Sequence, residues 1–234
     1  MQTPRLDQLD SDQRARMDAL ADLLIRENRK TNLTAITDPA EVRLRHFEDS
    51  LAGLPVIREQ AINSARDSFS IIDVGSGAGF PALVLAIALP ECQITSLEAT
   101  GKKTDFQKLA AQTLRLENLR VIQDRAETLG HDAVHRAQYD MAVARAVAAL
   151  PSLLEIMLPF VREKGSALCW KGREAEKEMA DAQNALDVLA KGAFETCPYE
   201  LDEAGEMRLI LARKNTPTPD KYPRKPKQIR KRPL

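Results

Sequence analysis

The chain has 234 residues, and its 34 basic and 34 acidic side chains balance. With 44% hydrophobic and 29% charged residues, it can form one large domain with a substantial core and an appended segment. The longest apolar run, Phe80 to Pro90, is too short to cross a bilayer, and the polar N-terminus has no secretory apolar segment. We therefore expect a cytoplasmic protein that has no membrane partner.

The cysteine pattern indicates neither a disulfide framework nor a metal site. The three cysteines, Cys92, Cys169 and Cys197, form no C-x-x-C pair and no cluster with histidine. Scattered cysteines in an odd number favour reduced, structural side chains. We predict no metal ligand in this chain.

Residues 1–66 have the pattern of an N-terminal helical extension. Met17, Leu20 and Leu24 recur at helical spacing. A second helix is predicted to begin after Asp38, an N-cap residue that is followed by a proline. The other faces of this second helix carry polar residues that could line a cofactor cleft or contact a substrate, namely Arg43, Arg45, Asp49 and Ser50. These faces also carry His46, for which a structural hydrogen bond fits at least as well as catalysis.

The most informative stretch runs from Ile71 to Glu98. It has the pattern of a strand, a glycine-rich turn, an apolar helix and a second strand that ends in an acid. Gly75, Gly77 and Gly79 let the backbone approach a ligand, and Glu98 can accept hydrogen bonds from both hydroxyls of a ribose. The G-x-G-x-G spacing differs from the G-x-G-x-x-G of dinucleotide folds, so it favours another adenine nucleoside cofactor over NAD. A tight turn in an ordinary α/β core is the alternative.

Strands and helices continue to alternate downstream. Strands are predicted at 119–123, 139–144, 166–170, 194–201 and 207–212, and helices at 104–114, 150–158 and 174–189. The turn at 202–206 has hairpin length, so the last strand should run antiparallel to its neighbour. A mostly parallel seven-stranded sheet with a C-terminal antiparallel hairpin over residues 67–213 resembles the Rossmann-like class I S-adenosylmethionine-dependent methyltransferase fold.

The last segment, residues 214–234, is predicted to be a basic, proline-rich tail. From Arg213 to Leu234 there are nine lysines or arginines, one aspartate and five prolines. So many prolines predict an extended segment without a helix. Such an arm suits contacts with RNA phosphates, and the alternative is a solvated tail with no partner.

Seven short motifs narrow the resemblance. In chain order they are Asn32-Leu33-Thr34, Arg45 to Ser50, Asp73 to Pro81, Gly101-Lys102-Lys103, Arg125-Ala126-Glu127, Ala144-Arg145-Ala146 and Lys171-Gly172. Together they are similar to the bacterial 16S rRNA guanine-N7 methyltransferase family, once called glucose-inhibited division protein B. The resemblance implies S-adenosylmethionine as the cofactor and N7 of one guanine in the 530 loop of small-subunit rRNA as the target.

The resemblance also implies roles for residues of the cofactor site. Gly75, Gly77, Gly79 and Phe80 would shape its methionine and ribose part. Glu98 would hold the ribose hydroxyls, and Ala126 and Glu127 would flank the adenine. Asp73 would either be structural or bind the amino group of the methionine moiety.

Arg145 and Lys171 are the catalytic candidates. The position after the fourth strand holds Arg145, and it shows neither the Asn/Asp-Pro-Pro-Tyr motif of amine methylators nor the Pro-Cys pair of cytosine-C5 methylators. Guanine N7 needs neither device, because its lone pair is free in the neutral base, so proximity and alignment should supply most of the catalysis. Arg145 is predicted to donate to guanine O6 or to anchor the cofactor or an RNA phosphate, and Lys171 to meet the RNA phosphate or the base.

Two other functions remain open at this level. A ribosome-binding scaffold would keep the cofactor fold and use its basic tail without chemistry. NAD-dependent redox chemistry is disfavoured by the glycine spacing. A monomer is expected, since no apolar stripe is obvious outside the predicted core.

Overall fold

A computed structural model describes residues 5–64, 66–201 and 205–234. Its centre is a seven-stranded sheet with the order β3-β2-β1-β4-β5-β7-β6. The strands are β1 (Ser70–Val74), β2 (Gln93–Glu98), β3 (Leu119–Gln123), β4 (Tyr139–Arg145), β5 (Val161–Lys171), β6 (Phe194–Leu201) and β7 (Gly205–Arg213). The first five in sequence are parallel, and β7 runs antiparallel to both β5 and β6. This confirms the predicted sheet and its C-terminal hairpin, although residues 202–204 of the predicted turn lie outside the described residues.

The helices cover both faces of the sheet. They are α1 (Ser11–Thr31), α2 (Pro39–Val42), α3 (Asp49–Leu51), α4 (Leu54–Asn63), α5 (Ala82–Ala88), α6 (Gly101–Thr113), α7 (Ala126–Leu129), α8 (Leu150–Met157), α9 (Ala175–Ala190) and α10 (Pro226–Lys231). Between α2 and α3 the chain forms a π-helical turn at Arg43–Glu48. Within the described ranges, no helix is both long and apolar enough to cross a bilayer.

Alternation along the strands produces two hydrophobic cores. In β1, Ile71 packs into the core that contains α1, α4 and α5, while Ile72 packs into the core that contains α8 and α9. Successive side chains of a strand point to opposite faces, so a strand covered by helices on both faces is largely apolar. The residues of α5 are all apolar and buried for the same reason: they lie between the sheet and the N-terminal helices.

The N-terminal helices form as the sequence predicts. Met17, Leu20 and Leu24 are buried on α1, which contacts α5 and α6. Asp38 caps the second helix by accepting hydrogen bonds from the backbone N–H groups of Ala40 and Glu41, at 2.9 and 3.0 Å. The π-helical turn after α2 was not predicted, and π-helical turns are frequent at functional sites.

The C-terminal tail corrects the sequence prediction, because it contains a helix and is packed on the body. Helix α10 begins at Pro226, and a proline is tolerated in the first turn because its missing N–H would have no helical partner there. The Lys214 side chain is buried and donates to the carbonyl oxygens of Leu158 and Val161 at 2.8 and 2.6 Å. Burial lowers the pKa of Lys214 to about 8. The tail is therefore not an extended arm.

An ion pair fastens the tail just before α10. The Glu155 carboxylate on α8 is fully buried and accepts from the backbone N–H and Nε of Arg224, both at 2.8 Å, and from its Nη2 at 2.6 Å. Losing one partner of a buried pair costs about 3–5 kcal/mol, because the other charge remains buried without compensation. The ion pair thus fixes the position of the basic helix against α8.

Candidate functional site

A cavity of about 680 Å³ lies at the carboxyl ends of the central strands. The order of the strands reverses between β1 and β4, and ligands of open α/β sheets bind in the crevice at such a switch point. Of the ten residues that the sequence analysis assigned to the cofactor or to catalysis, six line the cavity: Gly75, Gly77, Phe80, Glu98, Arg145 and Lys171. Asp73, Gly79, Ala126 and Glu127 do not line it. The N-terminal helices, the glycine-rich loop and the ends of β4 and β5 therefore enclose one site.

The three glycines of the loop share an unusual backbone conformation, but Gly77 and Gly79 have different structural roles. All have positive φ angles, namely 76° at Gly75, 60° at Gly77 and 97° at Gly79, which L-residues with a Cβ adopt at a cost. A Cβ at Gly79 would lie 2.5 Å from Leu83 Cδ1, so this glycine lets the loop pack on α5. A Cβ at Gly77 would meet nothing nearer than Lys103 Nζ, at 3.9 Å. Gly77 therefore leaves room in the cavity itself.

Glu98 joins the glycine loop to the end of β2. One carboxylate oxygen accepts from the Gly77 N–H at 2.9 Å and the other from the Thr100 N–H at 2.8 Å. Each carboxylate oxygen can accept a further hydrogen bond, so the group can still receive both hydroxyls of a diol. The geometry fits the role predicted for Glu98 at a ribose.

A buried network of polar side chains hydrogen-bonds to the glycine-rich loop. The sequence analysis did not predict this network. Gln107 on α6 donates from Nε2 to the Gly77 carbonyl and to Ser76 Oγ, both at 2.8 Å. Ser96 Oγ on β2 lies 2.6 Å from both Ser76 Oγ and Gln107 Oε1. Buried polar groups that satisfy one another make a rigid support. The available signal was a serine in a buried strand and a glutamine on the buried face of a helix.

Asp73 lies beneath the loop and is fully buried. Its Oδ2 accepts from the Ala82 N–H at 3.0 Å, whereas Oδ1 is the single buried side-chain N or O atom within the described residues that has no hydrogen-bond partner. Burial raises the pKa of Asp73 to about 7. The unpartnered oxygen agrees with the predicted interaction with an amino group of a ligand, although Asp73 lies below the residues that line the cavity.

Arg145 lies at the end of β4, where three acceptors hold its guanidinium. Nη1 donates to Asp49 Oδ2 at 2.7 Å and to the carbonyl of Arg45, and Nη2 donates to His46 Nδ1 at 3.1 Å. Because arginine can only donate, His46 Nδ1 must be unprotonated, and its Nε2–H donates to Thr34 Oγ1 at 3.0 Å. Burial and the charge of Arg145 lower the pKa of His46 to about 4, so the imidazole stays neutral.

Asp49 is the centre of this cluster. Its Oδ1 accepts from the Tyr199 hydroxyl at 2.6 Å, and its backbone carbonyl accepts from Trp170 Nε1 at 2.6 Å. Burial and the Asp49 carboxylate raise the pKa of Tyr199, which keeps the phenol protonated as a donor. The N-terminal extension is thereby tied to β4, β5 and β6 at the cavity.

The π-helical turn brings His46 against the glycine loop. The His46 ring stacks on Phe80, with the ring centroids 4.5 Å apart and the planes parallel. This contact and the hydrogen bonds of Arg145 and Thr34 give His46 a positioning role. Of the two readings left open for His46, the geometry favours the structural one.

Lys171 and Trp170 lie at the end of β5. Lys171 Nζ pairs with Glu178 Oε2 at 2.6 Å and donates to the Ala148 carbonyl at 2.9 Å. Trp170 is buried, and it also contributes to the lining of the cavity. An ammonium group has three N–H donors, so Lys171 keeps one of them for a ligand in the cavity while it stays paired with Glu178.

Ala126 and Glu127 begin the short helix α7, beside the cavity. Glu127 lines a second cavity, which shares Val147 with the first. Ala126 packs on the core of α8 and α9. Their assignment to the adenine remains a prediction.

Similarity to solved structures agrees with this architecture. An O-methyltransferase from Bacillus cereus in complex with SAH aligns over 84% of this chain and 91% of its own, with a TM-score of 0.58 and 14% identity. A putative O-methyltransferase from Klebsiella pneumoniae aligns over 84% and 90%, with a TM-score of 0.58 and 14% identity. Taken with the strand order and the glycine loop, these likenesses define a class I S-adenosylmethionine-dependent methyltransferase fold.

Sequence similarity identifies the family. A family model described as rRNA small subunit methyltransferase G matches residues 13–198. A protein of Alkaliphilus metalliredigens named Ribosomal RNA small subunit methyltransferase G is 40% identical over 230 residues, which cover 97% of this chain and 92% of the relative. The protein of that name from Streptococcus pyogenes serotype M5 is 37% identical over 226 residues, covering 97% and 93%. The chain belongs to the rRNA small subunit methyltransferase G family.

The buried carboxyl of Asp73 predicts a pH-dependent stability. An acid whose pKa rises from 3.8 to about 7 on folding keeps a proton that the unfolded chain releases. The free energy of unfolding of the ligand-free protein should therefore fall as the pH rises through this window, by at most about 1.4 kcal/mol per pH unit from this group. Asp73→Asn should remove this component, which urea unfolding at several pH values would measure. A difference between wild type and variant that is independent of pH would contradict the assignment.

Proposed function

We propose that this protein transfers a methyl group from S-adenosylmethionine to N7 of a guanine in the 530 loop of 16S rRNA. The proposal depends mainly on one observation: a single cavity is lined both by the cofactor cradle, which we define as Gly75, Gly77 and Glu98, and by Arg145 with its hydrogen-bond partners. The chain that forms this cavity belongs to this methyltransferase family. The scaffold alternative does not explain this cavity. The alternative of NAD chemistry has no support from the structural neighbours, which are named O-methyltransferases.

The residues of the cradle fit S-adenosylmethionine. Glu98 offers acceptors for the ribose hydroxyls, and Gly77 leaves the space that a side chain would fill. The unpartnered Oδ1 of Asp73 suits the amino group of the methionine moiety. Ala126 and Glu127 are proposed to flank the adenine. When bound, the cofactor supplies an electrophilic methyl group on a sulfonium.

The chain's part in the transfer is to orient the base. Guanine N7 has a free lone pair, so no general base is required, and alignment supplies the rate enhancement. The three acceptors of Arg145 leave its Nε–H and one Nη2–H without an acceptor among the described residues. These donors are proposed to face guanine O6, because a fixed arginine fork makes paired hydrogen bonds. Lys171 is proposed to contact the base or its phosphate.

The proposal assigns a task to each part of the chain. Residues 67–213 bind the cofactor, residues 1–66 close the cavity through the π-helical turn, and residues 214–234 contribute basic surface for RNA. The protein is proposed to act as a monomer on the small ribosomal subunit or its rRNA in the cytoplasm.

Nucleoside mass spectrometry tests the proposal. Purified protein is incubated with S-adenosylmethionine and small subunits that lack the modification, and 7-methylguanosine is mapped to single nucleotides. One modified guanine in the 530 loop is expected. If S-adenosylhomocysteine binds but no methyl group appears on subunits, on naked 16S rRNA or on other RNA, the fold assignment stands and the scaffold alternative replaces the enzyme.

A further inference from the structure

A second cavity, of about 650 Å³, opens beside the first between α7, α8 and α10. Three basic side chains line it: Arg125 at the start of α7, and Lys227 and Arg230 on the tail helix. Val147 lines both cavities, so the second one continues directly from the proposed methyl-transfer site. The fold thus brings together cations that lie about a hundred residues apart in the sequence.

Among the residues that the structure describes, the three cations have no partner for their side chains. All three side chains are exposed, and none forms an ion pair or a side-chain hydrogen bond with another residue of 5–64, 66–201 or 205–234. Two other basic residues of the tail differ, because Arg224 pairs with Glu155 and Lys214 is buried and donates to carbonyl oxygens. The single carboxylate that lines the cavity, Glu127, leaves a formal excess of positive charge at this surface.

The helix that carries two of these cations is packed firmly against the rest of the protein. Helix α10 contacts α8, buries Ile229 and follows the Arg224–Glu155 ion pair. Lys227 and Arg230 are three residues apart, which places them on one side of the helix. A partner therefore meets a preformed arrangement of charge, and it need not order a free arm.

We infer that this second cavity is a docking site for the phosphate backbone of the RNA next to the target guanine. The inference rests on the proposed function and adds the surface that receives the substrate. Unpaired cations around a groove match a polyanion, and continuity with the first cavity through Val147 places that polyanion beside the reacting base. Phosphate contacts would set the position and orientation of the RNA, while the first cavity recognises the base.

The test compares two triple variants of the full-length chain. Arg125→Gln/Lys227→Gln/Arg230→Gln removes the cations of the second cavity. Arg14→Gln/Lys108→Gln/Lys177→Gln removes three exposed cations that line neither of the two cavities, so the net charge changes equally. Binding of a 16S rRNA fragment that contains the 530 loop is measured at several salt concentrations, and S-adenosylhomocysteine binding is measured by calorimetry. Thermal unfolding checks that each variant is folded.

The first variant should bind the RNA at least about tenfold more weakly at low salt. Its log–log salt slope should be shallower by about 2, since each lost phosphate contact removes roughly 0.7–0.9. The first variant should bind S-adenosylhomocysteine with the affinity of the wild type. The control variant should match the wild type in RNA affinity, in salt slope and in S-adenosylhomocysteine affinity. An unchanged slope, an equal loss in the control, or a loss of S-adenosylhomocysteine affinity would each overturn the inference. Failure of the proposed function is seen separately, as absence of methylation by the wild-type protein.

Discussion

Asp49→Ala is expected to abolish methyl transfer and to lower the stability of the fold. The carboxylate is buried between the Arg145 guanidinium and the Tyr199 hydroxyl, and its removal leaves both donors without their acceptor. Breaking a buried ion pair costs about 3–5 kcal/mol. Arg145 would keep the Arg45 carbonyl and His46 Nδ1 as acceptors, but it would lose its carboxylate partner and be held less firmly. For this reason kcat/KM should fall by about a hundredfold or more. Urea unfolding and the methylation assay measure the two effects.

Two tyrosine variants separate the effect of Asp49 on the orientation of Arg145 from its effect on the stability of the fold. Tyr199→Phe removes a single hydrogen bond to Asp49, and it should cost about 1–2 kcal/mol and reduce kcat/KM less than Asp49→Ala does. Tyr222→Phe is the matched control, since Tyr222 is also a buried tyrosine but lies outside the cavity. If Asp49→Ala keeps wild-type activity after allowance for its folded fraction, the cluster does not position Arg145 for the reaction.

Gly77→Asp is expected to abolish cofactor binding while the protein still folds. The φ angle of 60° costs an L-residue about 1–2 kcal/mol, which a stable domain tolerates. The new side chain would enter the cavity, because a Cβ at Gly77 meets nothing nearer than Lys103 Nζ. It would occupy the space of the ligand and add a second carboxylate near Glu98. Calorimetry should show S-adenosylhomocysteine affinity reduced about a hundredfold or more.

A matched glycine supplies the control. Gly205 at the start of β7 has a φ of 76° and does not line the cavity, so Gly205→Asp introduces comparable backbone strain away from the site. It should lose similar stability and keep its S-adenosylhomocysteine affinity. Wild-type cofactor binding by Gly77→Asp would refute the assignment of the cradle.

Local patterns were sufficient for much of the fold. The strands and helices of the sheet domain follow the predicted order because buried parallel strands and apolar helices carry periodic signals of a few residues. The tail shows the limit of such reasoning. Its prolines predicted an extended arm, yet Pro226 starts α10, because what decides the conformation is packing against α8 and the buried pair of Arg224 with Glu155.

The glycine loop and the acid at Glu98 could be predicted from local sequence, because each depends on neighbours within one strand–turn–helix–strand unit. The cluster of Asp49, Arg145 and Tyr199 became visible only in the folded chain, because Arg145 and Tyr199 lie 96 and 150 residues from Asp49. The same holds for the cavity that Arg125 shares with the tail helix. Hydrogen bonds and charge pairs between distant segments leave no periodic trace in a sequence, since they form where separate elements pack together.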